Sequence, residues 1–445
     1  MSLLKTSSRY LPTVNLARHT SKPCSHLTRY SQCYNSRNFH SSNTRFEDGN
    51  EVSQAARRRR SILEESEPSA RVKARRAQAE SEKVLESFKK DPMTLPPHAV
   101  WRQIFFFTQN DRVAIANPDS AQVVADHFVP EGEEGKIIIE AFPGPGQLTR
   151  ALLKLPKERV AKIIVLEDNP RYLEYLKPLE EVDPRVKVVP LSGLEWSTYD
   201  SVQELGLLSD IETVAWGAGV HPKLQFVSHL PINVYGEQLM SQFLRLVPDR
   251  QWLFKFGRVK MNFLLTDYVW QRVTACPNDK NFRCKLSVIA DAAVECKSLY
   301  YDELQPFRDH FHPILFRQIA VDADQRKTNH RKAGNPMRAV SVVPREKQII
   351  EPGSLDVWDY CLRRLFVQKA TAVGRAIPSL GPGAQSLLAQ LEDNVDLKRT
   401  IRGLELKDWE SVVRVFSEWP FAPSDLGITD SMLDNYKGRN TNHRH

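Results

Sequence analysis

Residues 137–149 read IIIEAFPGPGQLT, and the folding of this stretch decides the architecture around it. Three consecutive isoleucines ending on Glu140 specify a strand buried on both faces, since only a covered strand can be apolar at every position. Pro143-Gly144-Pro145-Gly146 then forces a turn, and residues 148–155 resume at helical spacing. Strand, glycine turn and helix in immediate succession make the first βα unit of an open, mostly parallel α/β sheet. At such a turn glycine lets backbone approach a ligand, and the helix offers free N–H groups and the positive end of its dipole.

The alternation continues outward from this unit. Asn117-Pro118-Asp119-Ser120 is a helix start inside the apolar stretch 113–129, which leads into the strand. Downstream the spacing predicts a strand at 161–166, a helix at 170–179, a strand at 186–189 and a break at Ser192-Gly193. Further strands are expected at 213–216, 224–228, 252–256 and 285–293. Strands separated by helices and short joints imply a sheet covered on both faces, with ligands beyond the carboxyl ends of its strands. From Leu355 onward the apolar residues fall at helical spacing, Trp358, Cys361, Leu362 and Leu365 first, then Trp409, Val412, Val413 and Phe416.

Composition sets the limits. The chain has 445 residues, 41% hydrophobic and 26% charged, with a formal charge of +8, so it can hold a large core and suits a polyanionic partner. No apolar run approaches the roughly 18 residues a membrane span requires. The six cysteines form no CxxC pair and have no histidine at zinc spacing, so they are expected as reduced core thiols and no metal is expected. The first acidic residue is Glu47, and before it Lys5, Arg9, Arg18, Lys22, Arg29, Arg37 and Arg45 are spread through a Ser- and Thr-rich stretch. That is the composition of a mitochondrial transit peptide, and Arg37-Asn38-Phe39-His40-Ser41-Ser42 resembles an R-x-F-x-x-S processing site. The expected organisation is a transit peptide at 1–46, a charged arm, disordered or helical, at 47–92, and an α/β domain at 93–345. A basic loop at 322–338, a helical domain at 346–435 and a polar tail at 436–445 complete it.

Together these segments resemble the rRNA adenine N6-dimethyltransferase family, which includes mitochondrial transcription factor B proteins and the fungal mitochondrial RNA polymerase specificity factor. The family pattern E-x-G-P-G-x-G-x-L-T aligns without a gap on Glu140 to Thr149. Residues 165–173, VLEDNPRYL, are similar to the segment whose acid holds the ribose of S-adenosylmethionine. Val227-Ser228-His229-Leu230-Pro231-Ile232 stands where the family has its N-L-P-Y catalytic turn, and Phe366-Val367-Gln368-Lys369 where its helical domain opens. The resemblance implies a Rossmann-like S-adenosylmethionine-dependent methyltransferase fold with a C-terminal all-helical domain. It implies cofactor contacts at Glu140, Gly144, Gly146, Glu167 and Ser192.

The departures bear on activity. Phe142 replaces the first glycine of the cofactor loop, Ser192 the acid at the adenine amine, His229 the asparagine of the catalytic turn and Ile232 its aromatic residue. Methylating an adenine amine requires a flipped, stacked base and acceptors for its N–H groups. Isoleucine cannot supply a stack worth about 1–3 kcal/mol per base. The degenerate turn His229, Leu230, Pro231, Ile232 therefore favours a non-catalytic descendant that binds promoter DNA or RNA for the mitochondrial RNA polymerase in the matrix. The alternative is an active small-subunit rRNA dimethylase. A ribosome-associated RNA-binding protein is the third reading. Nucleic-acid contacts are expected from Arg326, Lys327, Arg331, Lys332 and Arg338. The plainer expectations are that His229 is a core histidine satisfied by backbone, that Glu167 caps a helix, and that Trp196, Trp216, Trp358 and Trp409 pack.

Overall fold

The computed structural model describes residues 91–105, 112–313 and 331–423, with isolated positions at 79, 83, 86 and 426. All of these lie in a compact unit spanning Ser69–His445. The expected transit peptide, nearly all of the charged arm, and Arg326 and Lys327 of the basic loop fall outside the described residues.

The strands are β1 (Ala114–Ile115), β2 (Lys136–Ala141), β3 (Val160–Leu166), β4 (Val186–Val189), β5 (Val220–His229), β6 (Arg258–Thr266), β7 (Val294–Tyr300), β8 (Phe311–His312) and β9 (Met337–Pro344). Seven of them form one sheet in the order β4-β3-β2-β5-β6-β9-β7. The pairs from β4 to β6 are parallel, and β9 runs antiparallel to both β6 and β7. Winding proceeds outward in one direction from β2 and in the other from β5, so the switch point lies between these two strands. That is the open, mostly parallel α/β sheet expected from the glycine turn, in the Rossmann-like methyltransferase form that the resemblance implies. The short pair β1 and β8 stands apart from the main sheet.

Strand alternation divides the core in two. Ile138, Val165, Val227 and Leu264 face one layer, which includes helices α1 (Pro118–Phe128), α2 (Gln147–Lys154) and α3 (Pro170–Leu176). Asn117 caps α1 by accepting from the amides of Asp119 and Ser120, with proline at the first helical position. Ile139, Ala141, Leu166, Phe226 and Phe263 face the other layer, which includes α4 (Trp196–Glu204) and α5 (Val234–Leu246).

Three strand expectations are corrected. Residues 285–293 form helix α7 (Lys285–Ala293), which follows α6 (Asp267–Thr274). A capping box between Cys284 and Ser287 starts α7, and its alanines pack closely on several sides. Burial around most of the helix removed the polar face that marks an amphipathic helix, so the run reads as a strand. Residues 252–256 form a 3-10 turn, because Arg250 and Trp252 adopt φ of 52° and 55° and break the extended backbone. Residues 213–216 lie outside any strand, and β6 begins only at Arg258.

Helices α8 (Leu355–Phe366) and α9 (Leu406–Ser417) form as expected. Their Trp358, Trp409 and Phe416 belong to the same continuous cluster as Phe226 and Phe263 of the sheet. The boundary expected at residue 346 therefore does not interrupt the core.

Candidate functional site

The turn after β2 owes its shape to packing. Gly144 and Gly146 sit at φ 62° and 87°, where side chains are strained. A Cβ on Gly144 would lie 2.7 Å from the Cβ of Ala114, and one on Gly146 would lie 2.5 Å from Leu176 Cδ2. Phe142 shares the left-handed conformation at φ 59°, which costs a residue with a Cβ about 1–2 kcal/mol. Its ring is buried against Gly193, where an added Cβ would meet ring carbons at 3.3 Å. The space opened by a glycine in the family pattern is thus filled by a phenyl group, and Gly193 accommodates it.

Arg112 lies over that ring, its guanidinium carbon 4.9 Å from the centroid. Its Nη2 donates to both oxygens of Glu167, at 3.0 and 2.7 Å, and Asp168 lies 3.6 Å from Nη1. Glu167 is the acid that the resemblance assigns to the ribose hydroxyls. Burial pushes its carboxyl up to about 7, with the Arg112 charge opposing the shift. One guanidinium nitrogen thus bridges both carboxyl oxygens, a charge-assisted contact that favours the ionised form of Glu167. Glu167 also accepts from the Asn169 amide at 3.1 Å. It does not cap α3, because Asn169 does so by accepting from the Arg171 amide. Nothing in the sequence pattern draws attention to Arg112.

Glu140 is wholly buried at the end of β2, with Oε2 accepting from the Thr149 hydroxyl at 2.7 Å and Oε1 without a partner among the described residues. Burial pushes its carboxyl from 4.5 up to about 7. A carboxyl raised in the folded state stabilises the fold fully below the unfolded value and loses that contribution as pH rises through the folded one. Between about 4.5 and 7 the loss is at most about 3 kcal/mol. Glu140→Gln is expected to flatten the dependence of the urea midpoint on pH between about 5 and 8; an unaltered slope would assign it to another group.

At the end of β5, His229 is 2% exposed and both ring nitrogens lack partners among the described residues. Burial, with the Arg112 charge adding, pushes its pKa down to about 3. His229 is a core histidine, as expected, and the backbone bond expected for it is not found among the described residues. Leu230 donates its amide to the Leu264 carbonyl at 2.9 Å, and Ile232 turns into the core at 4% exposure. Asn233 caps α5 through the amides of Tyr235 and Gly236. Tyr235 is 60% exposed on the lip, three positions past the residue where the family has its aromatic side chain.

A cleft of about 390 Å³ remains over these strand ends, lined in part by Arg112, Asp168, Asn169, Ser192, Asn233 and Tyr235. The set does not fit S-adenosylmethionine in the manner the resemblance implies. Arg112 takes the ribose acceptors, Phe142 fills the glycine position, and Ser192 offers a hydroxyl where an acid would receive the adenine amine. Among the described residues no group of His, Cys, Asp and Glu is arranged to hold a metal.

Of the expected nucleic-acid residues, Arg331, Lys332 and Arg338 are described. Arg331 and Lys332 are exposed, and Arg331 pairs with Glu237 at 3.1 Å. Arg338 is corrected from loop to strand. It lies in β9, bonds Asp267 at 2.6 Å and Ser298 at 2.8 Å, and stacks 3.6 Å from the Tyr301 ring centre. Trp216, Trp358 and Trp409 are buried, and Trp196 is partly exposed.

A family profile described as ribosomal RNA adenine dimethylase matches residues 107–418. Mitochondrial transcription factor 1 of Lachancea kluyveri is 23% identical over 291 residues, 64% of this chain and 82% of that protein. Mitochondrial dimethyladenosine transferase 2 of Bos taurus is 25% identical over 297 residues, 64% of this chain and 72% of that protein. A dimethyladenosine transferase structure from Plasmodium falciparum aligns at TM-score 0.45 and 15% identity, covering 68% of this chain and 97% of that one. The profile spans both the glycine turn and the turn after β5, and on that match the chain belongs to the ribosomal RNA adenine dimethylase family.

Proposed function

We propose that this chain is a mitochondrial transcription initiation factor of methyltransferase descent, which binds promoter DNA or RNA in the matrix and assists the mitochondrial RNA polymerase. The observation that carries this reading is the Arg112–Glu167 pair stacked on Phe142, which closes the ribose end of the ancestral cofactor site from within. The printed name of the Lachancea kluyveri relative supports the transcriptional role. Mitochondrial relatives also support the location. Nucleic-acid contacts are assigned to Arg326, Lys327, Arg331 and Lys332. Arg338 is already committed within the fold. Run-off transcription on mitochondrial promoter DNA tests the role: adding the protein to polymerase should raise specific product several-fold, and an unchanged yield would reject it.

The second reading is an S-adenosylmethionine-dependent adenine dimethylase. It rests on the retained Glu140, Gly144, Gly146 and Glu167 and on buried polar atoms of Glu140, Ser228 and His229 that have no partner among the described residues. Calorimetric titration with S-adenosylmethionine separates the readings. The wild-type chain is expected to give no binding heat at micromolar ligand, whereas saturable binding would restore the enzyme reading.

A further inference from the structure

A second cavity, of about 210 Å³, shares no lining residue with the cleft. It opens between the end of α6, helix α7 and strand β7, with Arg283 and Arg345 in its walls. We infer that this cavity is a binding site for a small oxyanion of the phosphate class.

Arg283 carries the inference. Its side chain is among the largest fully buried ones, at 2% exposure. Among the described residues it has no carboxylate within ion-pair distance. Nη1 donates to the Ala275 carbonyl at 2.7 Å and Nη2 reaches the Leu404 carbonyl at 3.5 Å, while Nε has no partner. A guanidinium removed from water with no carboxylate in contact is costly; Asp291 acts on Arg283 only from beyond ion-pair distance, and carbonyl oxygens or a water molecule satisfy its N–H groups without neutralising it. An oxyanion does both, because the planar fork matches two oxygens of a phosphate.

The rest of the lining carries both signs of charge. Arg345 donates Nε to the Asp291 carbonyl at 3.0 Å and pairs with Glu295 at 3.3 Å. The Asp291 carboxylate also lines the cavity and stands 3.9 Å from Arg345 Nη2. Within the lining Arg283 and Arg345 face the Asp291 carboxylate, and Glu295, outside the lining, pairs with Arg345, so among the described residues Arg283 is the guanidinium left without an ion pair. Cys296 adds no negative charge, since burial pushes its thiol up to about 12. The volume admits a phosphate or a single phosphate ester and excludes a whole nucleotide. The same chemistry can come from free phosphate or from the backbone of a nucleic-acid strand.

Titration of the full chain with sodium phosphate, against sodium chloride at matched ionic strength, tests the site. Phosphate should raise the melting temperature and slow alkylation of the exposed Cys276, which also lines the cavity. Arg283→Lys, which keeps the charge and loses the fork, and Arg345→Gln should each weaken phosphate binding roughly tenfold. Because Arg283 also ties Ala275 and Leu404, the rim variant Arg345→Gln decides the matter if Arg283→Lys does not fold. A short single-stranded oligonucleotide forms the second arm. Phosphate-competed binding that falls in Arg345→Gln identifies a strand phosphate as the ligand, and oligonucleotide binding indifferent to the substitution, with phosphate binding still lost, identifies the free anion. Equal effects of phosphate and chloride, or wild-type phosphate binding by Arg345→Gln, would overturn the site.

Discussion

Gly236→Ala is expected to prevent folding, or to cost more than about 4–5 kcal/mol, a range reserved for backbone clashes and similar failures. Gly236 lies in the first turn of α5, where Asn233 caps the helix. The carbonyl of Pro231, in the turn after β5, presses directly on it. An added Cβ would fall within bonding range of the Pro231 oxygen and 2.8 Å from its carbonyl carbon. Both partners are backbone, so no side-chain rotation relieves the overlap, and the helix would have to leave its seat. That seat is expensive, because Leu239, Met240, Phe243 and Leu244 of α5 are all buried. Helix propensity alone favours alanine here by roughly 1 kcal/mol, so the two arguments predict opposite signs. Soluble yield and thermal melting by circular dichroism separate them; a variant that melts at or above the wild-type temperature would show that the turn can move.

Arg112→Ala is expected to cost about 4 kcal/mol, because it strands a buried carboxylate. Glu167 would keep the Asn169 amide as its remaining donor among the described residues. Replacing both partners, Arg112→Met with Glu167→Gln, should be nearly neutral, since desolvation of each charge roughly cancels their attraction. A double-mutant cycle in urea measures the difference as a coupling energy of several kcal/mol. A coupling under about 1 kcal/mol would place the pair among weak surface bridges. The consequence reaches function: a ligand that needs Glu167 must first displace Arg112. Against about 4 kcal/mol, its affinity falls roughly a thousandfold.

Much of the scaffold was legible because its signals are local. The run Ile137-Ile138-Ile139, the glycines at 144 and 146 and the Asn117 helix start each depend on neighbours a few residues away, and each formed as read. Helix α7 is buried around most of its circumference and loses its amphipathic signature, and β6 was displaced because positive φ at Arg250 and Trp252 cannot be seen in residue types. Arg338 reads as one more charge in a basic stretch until Asp267, Ser298 and Tyr301 converge on it from other elements.

The chain's own pattern determined the family, the sheet and the suspicion attached to Phe142 and Ile232. It also placed His229 in the core. Only the tertiary structure decided what Glu167 is bonded to, because Arg112 reaches it across 55 positions of sequence. Spacing rules report what lies within a turn or a strand pair. A guanidinium that substitutes for a ligand is set by where the folded backbone brings distant segments together, and that became visible only once β1 was seated beside the glycine turn.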